Sequence, residues 1–127
     1  MKISRILLID DDDDDQLIFR DALKETLFSC ECLVANNGLE ALAMLDGEIK
    51  LPDMIFLDLN MPLMNGVEFL KQIKQHAAYK LIPVIIFSTS NSPDDREKLP
   101  KLGADRIITK SADFSQLKEK LGEILCE

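Results

Sequence analysis

The chain has 127 residues, 46% of them hydrophobic and 30% charged, with a formal net charge of −8. That length suits one domain with an ordinary core, and the excess of acid argues against nucleic-acid binding, since no basic stripe is present to neutralise phosphates. The apolar run after Met1-Lys2 is too short for a signal peptide, and nothing approaches the roughly 20 apolar residues of a membrane span, so a soluble cytoplasmic protein is expected.

In chain order, Ile3 to Ile9 is a short, nearly continuous apolar run, the pattern of a buried strand. Six aspartates follow, Asp10 to Asp15, and then a helical pattern with its apolar residues at Leu17, Ile18, Ala22, Leu23 and Leu27. Asp12 to Asp15 suit a solvated acidic helix N-terminus, where carboxylates accept orphan N–H bonds and meet the positive end of the dipole. Cys32 to Ala35 reads as a weak second strand. Asn36-Asn37-Gly38 turns it into a helix with Leu39, Leu42 and Leu45 on the core face. Asp46-Gly47 and Pro52 frame the loop to a third strand, Met54-Ile55-Phe56-Leu57, which stops abruptly at Asp58. Pro62 forbids the ladder from continuing, and Asn65-Gly66 turns the chain into a third helix marked by Val67, Leu70 and Ile73.

Pro83 opens the fourth strand, Val84-Ile85-Ile86-Phe87, which stops at Ser88-Thr89-Ser90. Ser92 and Pro93 read as the N-cap and first residue of a fourth helix, kept short because Pro100 clashes with any extension and Gly103 ends it. Asp105 to Thr109 gives strand five, closed by Lys110, and the last helix carries Phe114, Leu117, Leu121, Ile124 and Leu125 on one face. His76, near the end of the third helical pattern, reads as an exposed surface residue. Cys30, Cys32 and Cys126 lack metal-site spacing and read as structural thiols in a reducing compartment.

Five strands alternating with five helices mean βαβ units with right-handed crossovers, hence one parallel sheet covered on both faces. The expected fold is a doubly wound α/β domain over residues 1–127, flavodoxin-like (βα)5, with strand order 2-1-3-4-5 and its ligand site outside the carboxyl ends of the strands. Those ends carry Asp10-Asp11, Asp58, Ser88-Thr89 and Lys110, which a parallel sheet gathers in one shallow pocket. Carboxylates repel by about 4 kcal/mol per pair at 4 Å and an effective dielectric of 20, so the site should recruit a cation or raise a pKa. One or two carboxylates with water and a phosphate usually hold Mg²⁺. An aspartate nucleophile, a divalent metal, a lysine and a hydroxyl are together the parts needed to make an aspartyl phosphate.

The chain resembles the receiver domain of two-component response regulators over essentially its full length. The matching pieces are Ile6-Leu7-Leu8-Ile9-Asp10-Asp11, Leu57-Asp58-Leu59-Asn60-Met61-Pro62 with Asn65-Gly66, Pro83-Val84-Ile85-Ile86-Phe87-Ser88, and Leu102-Gly103-Ala104-Asp105 through Lys110. The resemblance implies that Asp58 is the phosphoacceptor. It also implies Mg²⁺, or Mn²⁺ in its place, on Asp11, Asp58 and the main-chain carbonyl of Asn60, with Asp10 acting through water. Ser88 would bind a phosphoryl oxygen, with Thr89 able to share that role, and Lys110 would pair with the phosphate. The implied donor is a histidine kinase or histidine phosphotransfer protein, or a small donor such as acetyl phosphate. The implied bacterial protein signals rather than acting as an enzyme on outside substrates, and catalyses only its own phosphorylation and dephosphorylation. With no output domain expected after the last helix, its output would be protein–protein contact through the face of helix four, strand five and helix five.

Three positions depart from the family pattern. Ser111 follows Lys110 where the family usually has a cis proline. A trans Lys110–Ser111 bond is expected, because a cis bond before a residue other than proline costs roughly 2.5–4 kcal/mol. Ile107 stands at the aromatic switch position, and Pro100 is expected to shorten or kink helix four on the output face. Two other functions fit less well. A degenerate receiver that binds without phosphorylation predicts a damaged acidic pocket. A Mg²⁺-dependent phosphatase or phosphotransferase predicts Asp-x-Asp at the nucleophile, where this chain has Asp58-Leu59-Asn60.

Overall fold

Buried extended runs satisfy their backbone groups by pairing with one another, and here they form a single sheet. In a computed structural model, which describes residues 3–26, 30–47, 50–59, 61, 64–89, 93–110 and 113–125, strands and helices alternate throughout. They are β1 (Arg5–Ile9), α1 (Asp13–Lys24), β2 (Glu31–Ala35), α2 (Gly38–Asp46), β3 (Met54–Leu57), α3 (Gly66–Gln75), β4 (Val84–Ser88), α4 (Pro93–Lys101), β5 (Arg106–Thr109) and α5 (Phe114–Leu125). The strands pair in parallel in the order β2-β1-β3-β4-β5, as the alternation predicted.

Successive side chains on a strand point to opposite faces, which splits the apolar runs between two cores. Leu7, Ile9, Ile55, Leu57 and Ile86 meet Leu45 of α2, Phe69 and Ile73 of α3 and Leu99 of α4. Ile6, Leu8, Phe56, Ile85 and Phe87 meet Phe19 of α1 and Leu117, Leu121 and Ile124 of α5. Phe19 sets its ring edge-on to Phe56, with centroids 4.9 Å apart.

Two helices differ from expectation. On α1 the buried residues are Phe19, Ala22 and Leu23, whereas Leu17 and Ile18, expected in the core, are 60% and 44% exposed. The Asp12 cap and the sheet contacts of the first turn set the helix rotation, and residues 15, 19, 22, 23 and 26 then share the inner face. On α2, capped by Asn37, the inner stripe is Gly38, Ala41 and Leu45, so Leu39 is turned outward and Leu42 is only partly buried. Small residues there allow close approach: a Cβ on Gly38 would meet Met64 at 3.0 Å.

α4 is short, as expected, and runs one residue past Pro100 to Lys101. Proline removes one helical hydrogen bond, and in the last turn few remain to lose. Gly103, at φ 108°, ends the helix: its N–H donates to the Pro100 carbonyl, and the Ala104 N–H donates to the Leu99 carbonyl. This pair of bonds is a Schellman closure. Leu27, Ser92, Ser111 and Cys126, and with them the expected N-cap and the Lys110–Ser111 bond, lie outside the described residues.

His76 is exposed, as expected, and stacks on Tyr79 at 4.1 Å. Cys30 and Cys32 are half-buried free thiols, and burial pushes the Cys32 thiol up to about 11. The Asp12 carboxylate accepts from the N–H groups of Asp14 at 2.9 Å and Asp15 at 3.1 Å. Asp12→Ala is therefore expected to cost about 1 kcal/mol, read as a lower urea midpoint at unchanged slope.

Candidate functional site

Each chemistry-bearing residue at the sheet's carboxyl end is held by its own backbone. The Asp10 N–H donates to Ala35 O at 3.0 Å, the Asp58 N–H to Ile9 O at 2.9 Å and the Lys110 N–H to Ser88 O at 2.9 Å. The ladder thus runs one residue past the regular strands, and the side chains stand on a rigid frame. Asp10, Asp11 and Asp58 converge there, with one carboxylate oxygen from each lying within 4.8 Å of the others. Asp10 and Asp58 are buried and Asp11 is exposed, so the cluster is open to solvent on one side.

The aspartate run divides its work by position. Asp10 Oδ1 accepts from the Asp12 N–H at 3.0 Å, and Gln16 Nε2 donates to the Asp10 carbonyl at 2.6 Å and to Asn36 Oδ1 at 2.9 Å. Asp12 caps α1, while Asp13 and Asp14 face water. Asp15, expected to be merely solvated, turns inward and accepts from Lys110 Nζ at 2.8 Å. Asp15 lies four residues before Phe19 and seven before Ala22, so the phase of the buried stripe was the signal that could have found it.

Lys110 is the cationic centre of the site. Its ammonium lies 2.7 Å from Asp10 Oδ2, 2.8 Å from Asp15 Oδ2 and 3.5 Å from Asp58 Oδ2, and sits 5.5 Å from the centre of the Phe87 ring. Burial alone would lower its pKa, but the bonds to Asp10 and Asp15 and the charges of Asp10 and Asp58 outweigh that, holding the ammonium above the ordinary lysine range. Burial pushes the Asp10 carboxyl above its usual value, and Asp58 adds to this against the opposing pull of Lys110 and the Asp12 N–H. Ser88 is buried at the tip of β4 and Thr89 is exposed beside it.

The third wall is the turn after β3. Asn65 caps α3 by accepting from the Glu68 N–H at 3.0 Å, and the Gly66 N–H donates to Leu59 O at 2.9 Å. A Cβ on Gly66 would collide with the Asp58 carbonyl and lie 2.7 Å from Leu59 Cα. Asn60, whose carbonyl was expected on the metal, lies outside the described residues.

The donor set fits a small divalent cation. Three carboxylates converge against one ammonium, and the fully buried Asp10 Oδ2 makes no directed hydrogen bond beside its ion pair. Hard oxygen ligands with one open side suit Mg²⁺ or Mn²⁺ rather than a softer metal.

A doubly wound sheet with an acidic cluster beyond its strand ends and a lysine across it is a receiver-type architecture. Residues 6–122 match the response regulator receiver domain, and the chain belongs to that family. It is 35% identical over 117 residues to the response regulator Rcp1 of Synechocystis sp., covering 88% of this chain and 80% of that protein. It spans about half the length of some other relatives. Among solved structures, the phosphorylated cyanobacterial phytochrome response regulator RcpA superposes with a TM-score of 0.86 at 35% identity, covering 96% of this chain and 91% of the other. The Mn²⁺-bound form of Rcp1 gives 0.85 at 33% identity, with 95% and 91% covered. Among the described residues no helix is long and apolar enough to cross a membrane.

Proposed function

We propose that this chain accepts a phosphoryl group on Asp58 from a histidine kinase or histidine phosphotransfer protein and signals through phosphorylation-dependent contact with another protein. The observation that carries this reading is the meeting of Asp10, Asp11 and Asp58 opposite the Lys110 ammonium. In the transfer, an Asp58 carboxylate oxygen attacks phosphorus, the bond from phosphorus to the donor breaks, and the donor leaves with the electron pair. An acyl phosphate remains on Asp58, and later attack by water returns the carboxylate and inorganic phosphate.

Lys110 would neutralise a phosphoryl oxygen and the Ser88 hydroxyl would donate to another, with Thr89 at the rim as a secondary contact. Asp11, Asp58 and the Asn60 main-chain carbonyl would hold Mg²⁺ or Mn²⁺, with Asp10 acting through water. When bound, the ion offsets the charge of the transferring group. The protein works in the cytoplasm and is not an enzyme toward outside substrates.

Output is assigned to the face of α4, β5 and α5. Between β5 and α5 an open cleft of about 370 Å³ is lined by Arg106, Ile107, Ile108, Lys120, Glu123 and Ile124. Because Ile107 carries no ring, the coupled hydroxyl–aromatic movement cannot run in its usual form. A new charge biasing a two-state element remains the physical basis of switching.

The test is incubation with acetyl phosphate and Mg²⁺, followed by intact mass. Wild type is expected to gain one phosphoryl group and Asp58→Ala none. Equal gain by both would move the acceptor elsewhere. No gain by wild type from acetyl phosphate or a histidine kinase would leave a receiver that binds its partner without phosphorylation.

A further inference from the structure

Lys110 makes its two short contacts with Asp10 and Asp15, not with Asp58. Asp10 and Lys110 stand just past β1 and β5, with β3 and β4 between them, and meet because the lysine side chain reaches across the strand ends. Asp15 comes from a different element, the first turn of α1, 95 residues away from Lys110 in sequence. Its side chain is 35% exposed and that of Lys110 is 10% exposed, so the bond lies at the rim, where it can open without unburying either strand. Asp13 and Asp14, on the same turn, face solvent, so a single carboxylate of that turn is committed to the site.

We propose that Asp15 is a positioning residue that holds the Lys110 ammonium in reserve and yields it when a phosphoryl group arrives on Asp58. The inference rests on the phosphoacceptor reading for its consequence, while the contact itself does not. One ammonium faces three carboxylates and gives its short contacts to two of them, standing 3.5 Å from Asp58 Oδ2. A phosphoryl group carries about −1.5 to −2 charges and three strong acceptor oxygens, and it outcompetes a half-exposed carboxylate for that ammonium. Once Lys110 moves, Asp15 loses its partner, and the first turn of α1 loses its bond to the end of β5. The hand-over therefore reports phosphorylation on the first turn of α1, a helix that packs beside α5, and it needs no aromatic residue at position 107.

The test compares wild type with Asp15→Asn, Asp15→Glu and Asp14→Asn, the last removing equal charge from the same turn without touching Lys110. The first readout, without metal or phosphate, is the ¹H–¹⁵N signal of the Lys110 ammonium, seen by NMR when the group is bonded and shielded from exchange. It is expected in wild type and Asp14→Asn, and is lost or strongly broadened in Asp15→Asn. The second is the affinity for beryllofluoride with Mg²⁺, a non-transferable stand-in for the phosphoryl group. Asp15→Asn is expected to bind about fivefold more tightly than wild type, the worth of one partly screened ion pair. Asp15→Glu should fall between the two and Asp14→Asn should match wild type. An unchanged ammonium signal in Asp15→Asn overturns the proposal, as does an equal affinity gain in Asp14→Asn, which would make the effect one of bulk charge. If the ammonium responds as expected but no protein binds beryllofluoride, the phosphoacceptor reading fails and takes the hand-over with it, leaving only the structural contact. Should Asp15→Asn fold poorly, Asp15→Ser gives the same comparison.

Discussion

Gly66→Ala is expected to lose about 3 kcal/mol of stability, the upper end for forcing one extra methyl into a packed site. Unfolding in urea would read the loss. The new Cβ would meet backbone, the Asp58 carbonyl and Leu59 Cα, instead of the yielding end of a side chain. The Asp58 N–H is bonded to β1, so strain cannot be relieved by sliding the strand. The turn must move instead, and with it the walls around Asp58. A displacement near 1 Å costs about 10²-fold in rate when geometry governs a reaction, so phosphorylation by acetyl phosphate should slow by about that factor. Gly122→Ala is the control. Nothing lies within 4 Å of its added Cβ, and that helix position should gain slightly from the change. Equal behaviour of the two variants would contradict the packing argument.

Lys110→Met is the second large effect. It keeps the length of the side chain and removes the charge, leaving the buried Asp10 carboxylate facing Asp58 without its 2.7 Å partner. Breaking a buried pair by removing one member costs roughly 3–5 kcal/mol, and the exposed Asp11 side of the cluster points to about 3. Two further measurements separate this electrostatic cause from lost packing. Added Mg²⁺ should restore much of the loss, because a cation binding only the native acids stabilises by mass action. Lowering the pH should also help. Asp10 already sits above its usual value and rises further in the variant. Between the ordinary and raised values the native state binds more protons than the unfolded state, so stability falls as pH rises and returns as pH falls. In wild type the raised Lys110 value acts with the same sign at higher pH: its contribution is fully present below the ordinary lysine value and is lost as pH rises through the elevated one. If Lys110→Met responds to neither Mg²⁺ nor acid, its loss comes from packing, and the electrostatic account of the site fails.

The element order was legible because each strand is an apolar run ended by a polar residue or a turn, and the helices carry either an apolar periodicity or, for α4, cap and breaker residues at both ends. Asp10, Asp11, Asp58 and Lys110 could be placed together because parallel strands all end on one side. The inner faces of α1 and α2 were misjudged at Leu17, Ile18 and Leu39, since local periodicity was read without the cap that sets helix rotation.

The sequence by itself determined the parallel sheet, its order and the acids and lysine at its carboxyl ends, because period-two and helical patterning act over a few residues at a time. The tertiary structure decided the finer division of labour among six identical aspartates, above all that Asp15 leaves the solvated group and reaches Lys110. Asp10 is buried under Lys110, Asp11 opens to solvent, Asp12 caps α1, and Asp15 takes a share of the lysine. A homopolymeric run carries no internal signal that tells its members apart. Their environments differ only because β1 ends at Ile9 and α1 then turns by about 100° per residue against a sheet whose far strand supplies the cation.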